Sequence, residues 1–86
     1  MKKIWFDRAW DDYLYWQTHN KQILKKINTL VKEIERNPFD GLGKAEPLRG
    51  DYSGFWSRRI TDEHRLIYRI VNGTLEILTC MGHYDD

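Results

Sequence analysis

The dipeptide Asn72-Gly73 constrains this 86-residue chain more than any other feature. A two-residue type I′ turn needs positive φ at both central positions, and Asn-Gly is the pair that tolerates this best. The stretches on either side, 65–71 and 75–81, are rich in Ile, Leu and Tyr, so the pair predicts a hairpin of defined register. Ile70 faces Leu75, Arg69 faces Glu76, and Tyr68 faces Ile77. Arg69 and Glu76 become cross-strand neighbours of opposite sign, which gives Arg69 a structural explanation. Leu66, Tyr68 and Ile70 point to one side, assigned to the core, while Arg65, Ile67 and Arg69 point to the other. Residues 54–60 predict a further strand, joined through a turn at Thr61-Asp62-Glu63-His64. An even-numbered turn pairs position 60 with 65 and sets Arg58 beside Arg65. A three-residue turn pairs Thr61 with Arg65 and brings Arg59 there instead. The residues leave both open.

The first half reads as helix. Ile4-Trp5-Phe6 is a short strand, and Asp7 is expected to cap the first helix. Trp10, Tyr13, Leu14 and Gln17 recur at helical spacing, with Asp11 and Asp12 on the opposite side. Trp10, Tyr13 and Trp16 are read as packing residues. Thr18-His19-Asn20 is a break, and Asn20 caps a second helix whose apolar stripe is Ile23, Leu24, Ile27, Leu30, Val31 and Ile34. Lys25, Lys26, Lys32, Glu33 and Glu35 lie off that stripe. Pro38 ends the helix. The short link makes the two helices an antiparallel hairpin. The glycines and prolines of residues 37–50 disfavour regular helix, and so long a connection is of the kind that carries function or motion. The expected fold is α+β, β-α-α followed by an antiparallel meander with the helical hairpin on one sheet face. A chain this short forms one domain over residues 1–86 and buries only about 60% of its unfolded surface.

Charge excludes some functions and locates others. The net charge is +1, with 14 Lys and Arg against 13 Asp and Glu, which excludes a basic nucleic-acid coat. Yet six of the seven Lys lie at or before position 32, and five of the seven Arg lie between 49 and 69. Arginine offers a planar fork for phosphate or carboxylate, so the second half is where an anion is gripped. Surface charge is the plain alternative for Arg58 and Arg69. The single Cys80 excludes a disulfide framework and, lying in an apolar strand, reads as core. No two His or Cys have metal-ligand spacing. The apolar run after Lys2-Lys3 ends at Asp7, so no signal peptide or membrane span is expected and the protein is placed in the cytoplasm.

Two titratable groups flank the arginine region, Glu46 in the Gly/Pro stretch and His83 after Gly82. A carboxylate that accepts a proton, an imidazole that donates one and an arginine between them suffice for transesterification of an RNA phosphodiester without metal. Solvated surface positions are the plain alternative for both. His19 and His64 sit in a helix break and a turn and read as structural. Tyr52, Phe55, Trp56 and Tyr84 are candidates for stacking on single-stranded RNA.

Several blocks resemble the YoeB/Txe toxins of bacterial type II toxin–antitoxin systems, within the RelE-like superfamily. They are Trp-Asp-Asp-Tyr-Leu-Tyr-Trp at 10–16, Asn-Pro-Phe at 37–39, Gly-Lys-Ala-Glu-Pro-Leu at 43–48, Gly-Phe-Trp-Ser-Arg-Arg-Ile at 54–60, His-Arg-Leu-Ile-Tyr at 64–68 and His-Tyr at 83–84. The resemblance implies an endoribonuclease that needs no metal or other cofactor and cuts mRNA in the ribosomal A site, leaving a 2′,3′-cyclic phosphate or its opened product and a 5′-hydroxyl end. It implies Glu46 as general base, Arg65 as phosphate clamp and His83 as general acid. Arg59 supports the charge, which favours the three-residue turn. Tyr84 positions substrate, and Lys44 and Arg49 contact RNA backbone. The implied partners are mRNA on the 70S ribosome and a cognate antitoxin whose C-terminal segment covers the site, with the toxin a monomer or a homodimer. Position 49 is commonly Lys in such toxins, proline is frequent where Ala45 stands, Met81 replaces an often basic residue, and Asp85 and Asp86 follow the His-Tyr pair. The rival readings are a non-catalytic RNA- or ribosome-binding module and an antitoxin co-repressor.

Overall fold

At the Asn72-Gly73 turn φ is +50° and +74°, the left-handed pair that a type I′ hairpin requires. The structure, a computed structural model, describes residues 1–83. The strand β1 (Lys2–Trp5) leads into helices α1 (Asp7–His19) and α2 (Lys21–Arg36). Then come β2 (Glu46–Pro47), a 3-10 turn at Gly50–Tyr52, β3 (Trp56–Arg59), β4 (Arg65–Val71) and β5 (Thr74–Thr79). They form one five-stranded sheet in the order β1-β5-β4-β3-β2. The hairpin pairs Ile70 with Leu75, Arg69 with Glu76 and Tyr68 with Ile77, the register its turn predicts. β1 adds in parallel beside β5, so the sheet is mixed. The α+β architecture stands.

The helices meet the sheet through the stripe of α2. Ile27, Leu30 and Ile34 are fully buried and join Leu66, Tyr68, Leu75 and Ile77 in one core. Asn20 caps α2 as expected, its Oδ1 accepting from the backbone N–H groups of Gln22 and Ile23. Helix α1 departs from its pattern. Phe6, not Asp7, occupies the cap position, and no side chain bonds there. The buried residues of α1 are Ala9, Asp12 and Trp16, whereas Trp10 and Leu14 are 47% and 41% exposed. Asp12 turns inward because it has partners: Thr79 Oγ1 and the Cys80 backbone N–H donate to its Oδ2 at 2.7 and 3.1 Å. A buried carboxylate is tolerated when hydrogen bonds replace the lost water. Trp16 Nε1 donates to the Cys80 carbonyl at 3.0 Å, so α1 holds the end of β5 by two side chains.

Arg58 corrects both of its sequence readings. It lies neither on the surface nor beside Arg65 but on the core side of β3, with no exposed area. Its guanidinium donates to the carbonyls of Leu42 and Asp40 at 2.8 and 2.9 Å and to that of Asn37. Its Nε donates to the Tyr68 hydroxyl at 3.1 Å, which in turn donates to the Pro38 carbonyl. Burial pushes the Tyr68 phenol up from its ordinary value, and Arg58 offsets part of that. The connection after α2 is thus fastened from the inside.

Two aromatic assignments also change. Phe55 lies 4.9 Å beneath the Arg69 guanidinium, and Trp56 packs against Phe39 at 4.9 Å between ring centroids and against the core. Both are packing residues.

Replacing Arg58 with Met leaves several buried acceptors unmet, each worth roughly 1–3 kcal/mol. The expected loss is about 3 kcal/mol or more of unfolding free energy, a large share of what a domain of this size has, read by urea denaturation. Cys80 is buried, and burial followed by the Asp12 carboxylate pushes its thiol up to about 12. At pH 8 the native thiol is expected to alkylate at least roughly a hundredfold more slowly than in the unfolded chain, whose thiols titrate near ~8.5. Because the folded state then binds the extra proton, this group's contribution to stability falls as pH rises from that unfolded value toward 12,.

Candidate functional site

Strand register brings the site together. Glu46 pairs with Ser57, which pairs with Ile67, and Arg59 pairs directly with Arg65. Paired residues share a face, and so do residues two apart on one strand. Glu46, Ser57, Arg59 and Arg65 therefore face the same way, opposite to Arg58, Leu66 and Tyr68. With strands about 4.8 Å apart and alternate residues about 6.7 Å apart, they form a diagonal step across three strands, Glu46 beside Ser57 on one side of β3 and Arg65 beside Arg59 on the other,. Neither predicted turn is the one observed. Residues 60–64 make a five-residue connection, closed by Ile60 and Thr61 N–H donating to the His64 carbonyl at 3.0 and 3.2 Å. It has the same parity as the three-residue turn, so Arg59 still arrives beside Arg65.

That connection also orients Arg65. One guanidinium nitrogen, Nη1, donates to the carbonyls of Thr61, Asp62 and His64 at 2.6, 3.3 and 3.1 Å. Anchoring at one nitrogen fixes the plane of the fork. Arg59 is 3.8 Å from Asp62, an exposed contact that contributes little. Arg69, on the same face but farther along β4, is engaged by Glu76 at 2.6 Å and does not reach the site.

The other side of the cleft comes from the stretch after α2. Glu46 sits on the short strand β2 rather than in irregular loop, which holds its backbone against β3. Just before it, the Arg59 N–H donates to the Gly43 carbonyl at 2.7 Å. Gly43 has φ +83°, and a Cβ there would lie 3.0 Å from Leu30 Cδ2 and 3.1 Å from the Arg59 carbonyl oxygen. Only glycine fits without displacing β3. Lys44 follows in the left-handed region at φ +54°, a conformation that costs an ordinary residue about 1–2 kcal/mol.

His83 reaches the cleft from the far edge. A β-bulge on β5, where Ile67 pairs with Thr79 but Tyr68 pairs with Ile77, re-aims the chain end. The Arg65 N–H then donates to the Gly82 carbonyl at 2.8 Å. The resulting cleft, of about 380 Å³, is lined by Lys44, Glu46, Arg49, Arg59, Arg65 and His83 among others. Tyr84, Asp85 and Asp86 lie outside the described residues. Ser57 also lines the cleft, a position that strand alternation with Arg59 predicts and that carries no chemical signal in the sequence. Four cations facing one carboxylate and one imidazole make a site for an anion. Among the described residues no three His, Cys, Asp or Glu side chains are grouped to hold a metal ion.

A family model described as the YoeB-like toxin of bacterial type II toxin–antitoxin systems matches residues 5–84. The chain belongs to that family. It is 57% identical over 84 residues to Toxin YoeB of Escherichia coli K12, covering 98% of this chain and 100% of that protein. A solved YoeB/ParE toxin from Agrobacterium tumefaciens superimposes with a TM-score of 0.95 at 49% identity, over 98% of this chain and 100% of that one. Staphylococcus aureus YoeB, solved in a YoeB–YefM complex, superimposes at 0.90 with 41% identity over 98% of each chain. The same protein solved as a YoeB dimer gives 0.91 with 40% identity, again over 98% of each. The YoeB-like assignment makes this a toxin of a type II toxin–antitoxin system, and no helix among the described residues is long and apolar enough to cross a membrane.

Gly43→Ala is expected to lower unfolding free energy by about 1–3 kcal/mol through overpacking and strain at positive φ. It should also broaden the amide resonance of Arg59, whose hydrogen bond it disturbs; an unchanged melting curve and spectrum would contradict so close an approach of Gly43 to β3.

Proposed function

We propose that residues 1–86 act in the cytoplasm as one endoribonuclease domain that cuts mRNA in the ribosomal A site. The observation that carries this reading is the convergence of Glu46, Arg65 and His83 on one cationic cleft. Glu46 takes the proton from a ribose 2′-hydroxyl, whose oxygen attacks the adjacent phosphorus. Arg65, with Arg59 beside it, meets the charge that grows on the phosphoryl oxygens. His83 gives a proton to the departing 5′-oxygen. The P–O5′ bond breaks as the P–O2′ bond forms, so the products are a 2′,3′-cyclic phosphate and a 5′-hydroxyl. No metal is assigned a role, because the charge is met by the two arginine forks and the protons by the two side chains.

Lys44 and Arg49, on the rim, hold the RNA backbone. Tyr84, next in the chain to His83, is assigned to substrate positioning by that adjacency. A net charge of only +1 gives little long-range pull on free RNA, which fits a protein that meets its message already held on the ribosome. The cleft that takes a phosphate also suits acidic side chains, so the cognate antitoxin is proposed to lay its C-terminal segment there. The complex between Staphylococcus aureus YoeB and YefM supports such a partner, and the dimer of that toxin supports self-association.

Purified protein added to a translating reporter is expected to give A-site cuts by primer extension, with cyclic phosphate ends and little cutting of free RNA. A 2′-deoxynucleotide at the cut position should abolish cleavage. Glu46→Ala and His83→Ala should each lower the cleavage rate by about 10²–10⁴ while leaving ribosome association within about threefold. Intact message, or 3′-hydroxyl and 5′-phosphate ends, would sink the reading.

A further inference from the structure

His64 stands apart from the cleft lining yet touches what sets the position of His83. Its Nδ1 accepts the Gly82 backbone N–H at 3.0 Å. The carbonyl of the same Gly82 accepts from the Arg65 N–H at 2.8 Å. The residue before His83 is therefore held at both of its backbone polar atoms, by His64 just before β4 and Arg65 at its first position. The His64 ring is itself placed by Trp16, which packs edge-on against it at 4.8 Å between centroids. Trp16 also donates to the Cys80 carbonyl at 3.0 Å, so one buried side chain locates both the latch and the strand end it fastens.

We propose that His64 is a positioning residue: through the Gly82 N–H it sets the distance between the His83 imidazole and the Arg65 guanidinium. This rests on the reading of His83 as proton donor. An Nδ1 that accepts a backbone N–H carries no proton, so the ring proton lies on Nε2. The latch is thus specific to an acceptor at the Nδ1 position. Asparagine places its Oδ1 there without the ring, and phenylalanine keeps a ring against Trp16 without the acceptor. Serving as the far anchor of a two-point clamp matters because proton transfer is sensitive to placement, and an error of about 1 Å can cost a hundredfold.

The test compares His64→Phe and His64→Asn in single-turnover cleavage of ribosome-bound message, in otherwise wild-type protein and in a His83→Ala background. His64→Phe is expected to lower the cleavage rate about 10- to 100-fold, with the ribosome concentration for half-saturation changed less than about twofold. His64→Asn should stay within about threefold of wild type. In the His83→Ala background His64→Phe should cost less than about a further twofold, since the donor it positions is gone. Hydrogen exchange of the Gly82 amide, measured on the protein alone, should be faster in His64→Phe and not in His64→Asn. An unchanged rate in His64→Phe, an equal loss without His83, or failure of Asn to restore the rate would overturn the inference. A wild-type protein that leaves the message intact overturns the nuclease reading and this inference together, whereas an active wild type with any of those outcomes overturns this inference alone.

Discussion

The interaction on which the rest depends is the burial of the Arg58 guanidinium beneath the connection between α2 and β2. A cation with no exposed surface is stable only if its donors are met, and here three backbone carbonyls and a phenol meet them. Those carbonyls belong to residues 37–42, which have no regular structure of their own. The arginine therefore substitutes for a strand partner, giving the connection a fixed path to Gly43, where pairing with Arg59 takes over. Glu46 is three residues beyond. The position of the carboxylate in the cleft is thus inherited from a side chain on the opposite face of β3.

Adjacent residues divide the labour. Arg58 and Arg59 sit side by side in sequence, and strand alternation sends one inward as a fastener and the other outward toward the cleft. His64 and Arg65 repeat the arrangement where β4 begins, one bonding the chain end and the other facing the cleft. In a sheet this small, each pair of neighbours serves both faces.

The β4–β5 register and the α2 stripe were legible because turn chemistry and apolar periodicity act locally. What was not legible depended on partners distant in sequence. Asp12 reads as lying opposite the packing residues, because nothing near it announces Thr79 and Cys80 as donors. Arg58 looked like surface charge because backbone carbonyls carry no residue identity to read. The connection at 60–64 had two predicted lengths and adopted neither, yet parity alone decided which arginine reached Arg65. The cleft residues Lys44, Glu46, Arg49, Arg59, Arg65 and His83 could be named beforehand, from arginine clustering and from the resemblance of their blocks. The bulge in β5 that turns the chain end toward Arg65 has no local signature, and a histidine in a turn reads as structural because nothing in the sequence shows what its ring accepts.

Strand β2 is only two residues long, and the second of them is Pro47. Proline has no N–H to offer, and a sheet edge so short and lacking a donor gives an extended segment almost nothing to pair with. The sheet therefore stops at the rim of the cleft. Whatever enters must be held by side chains rather than zipped on as a sixth strand, and the same blunt border keeps copies of the toxin from polymerising edge to edge at that rim.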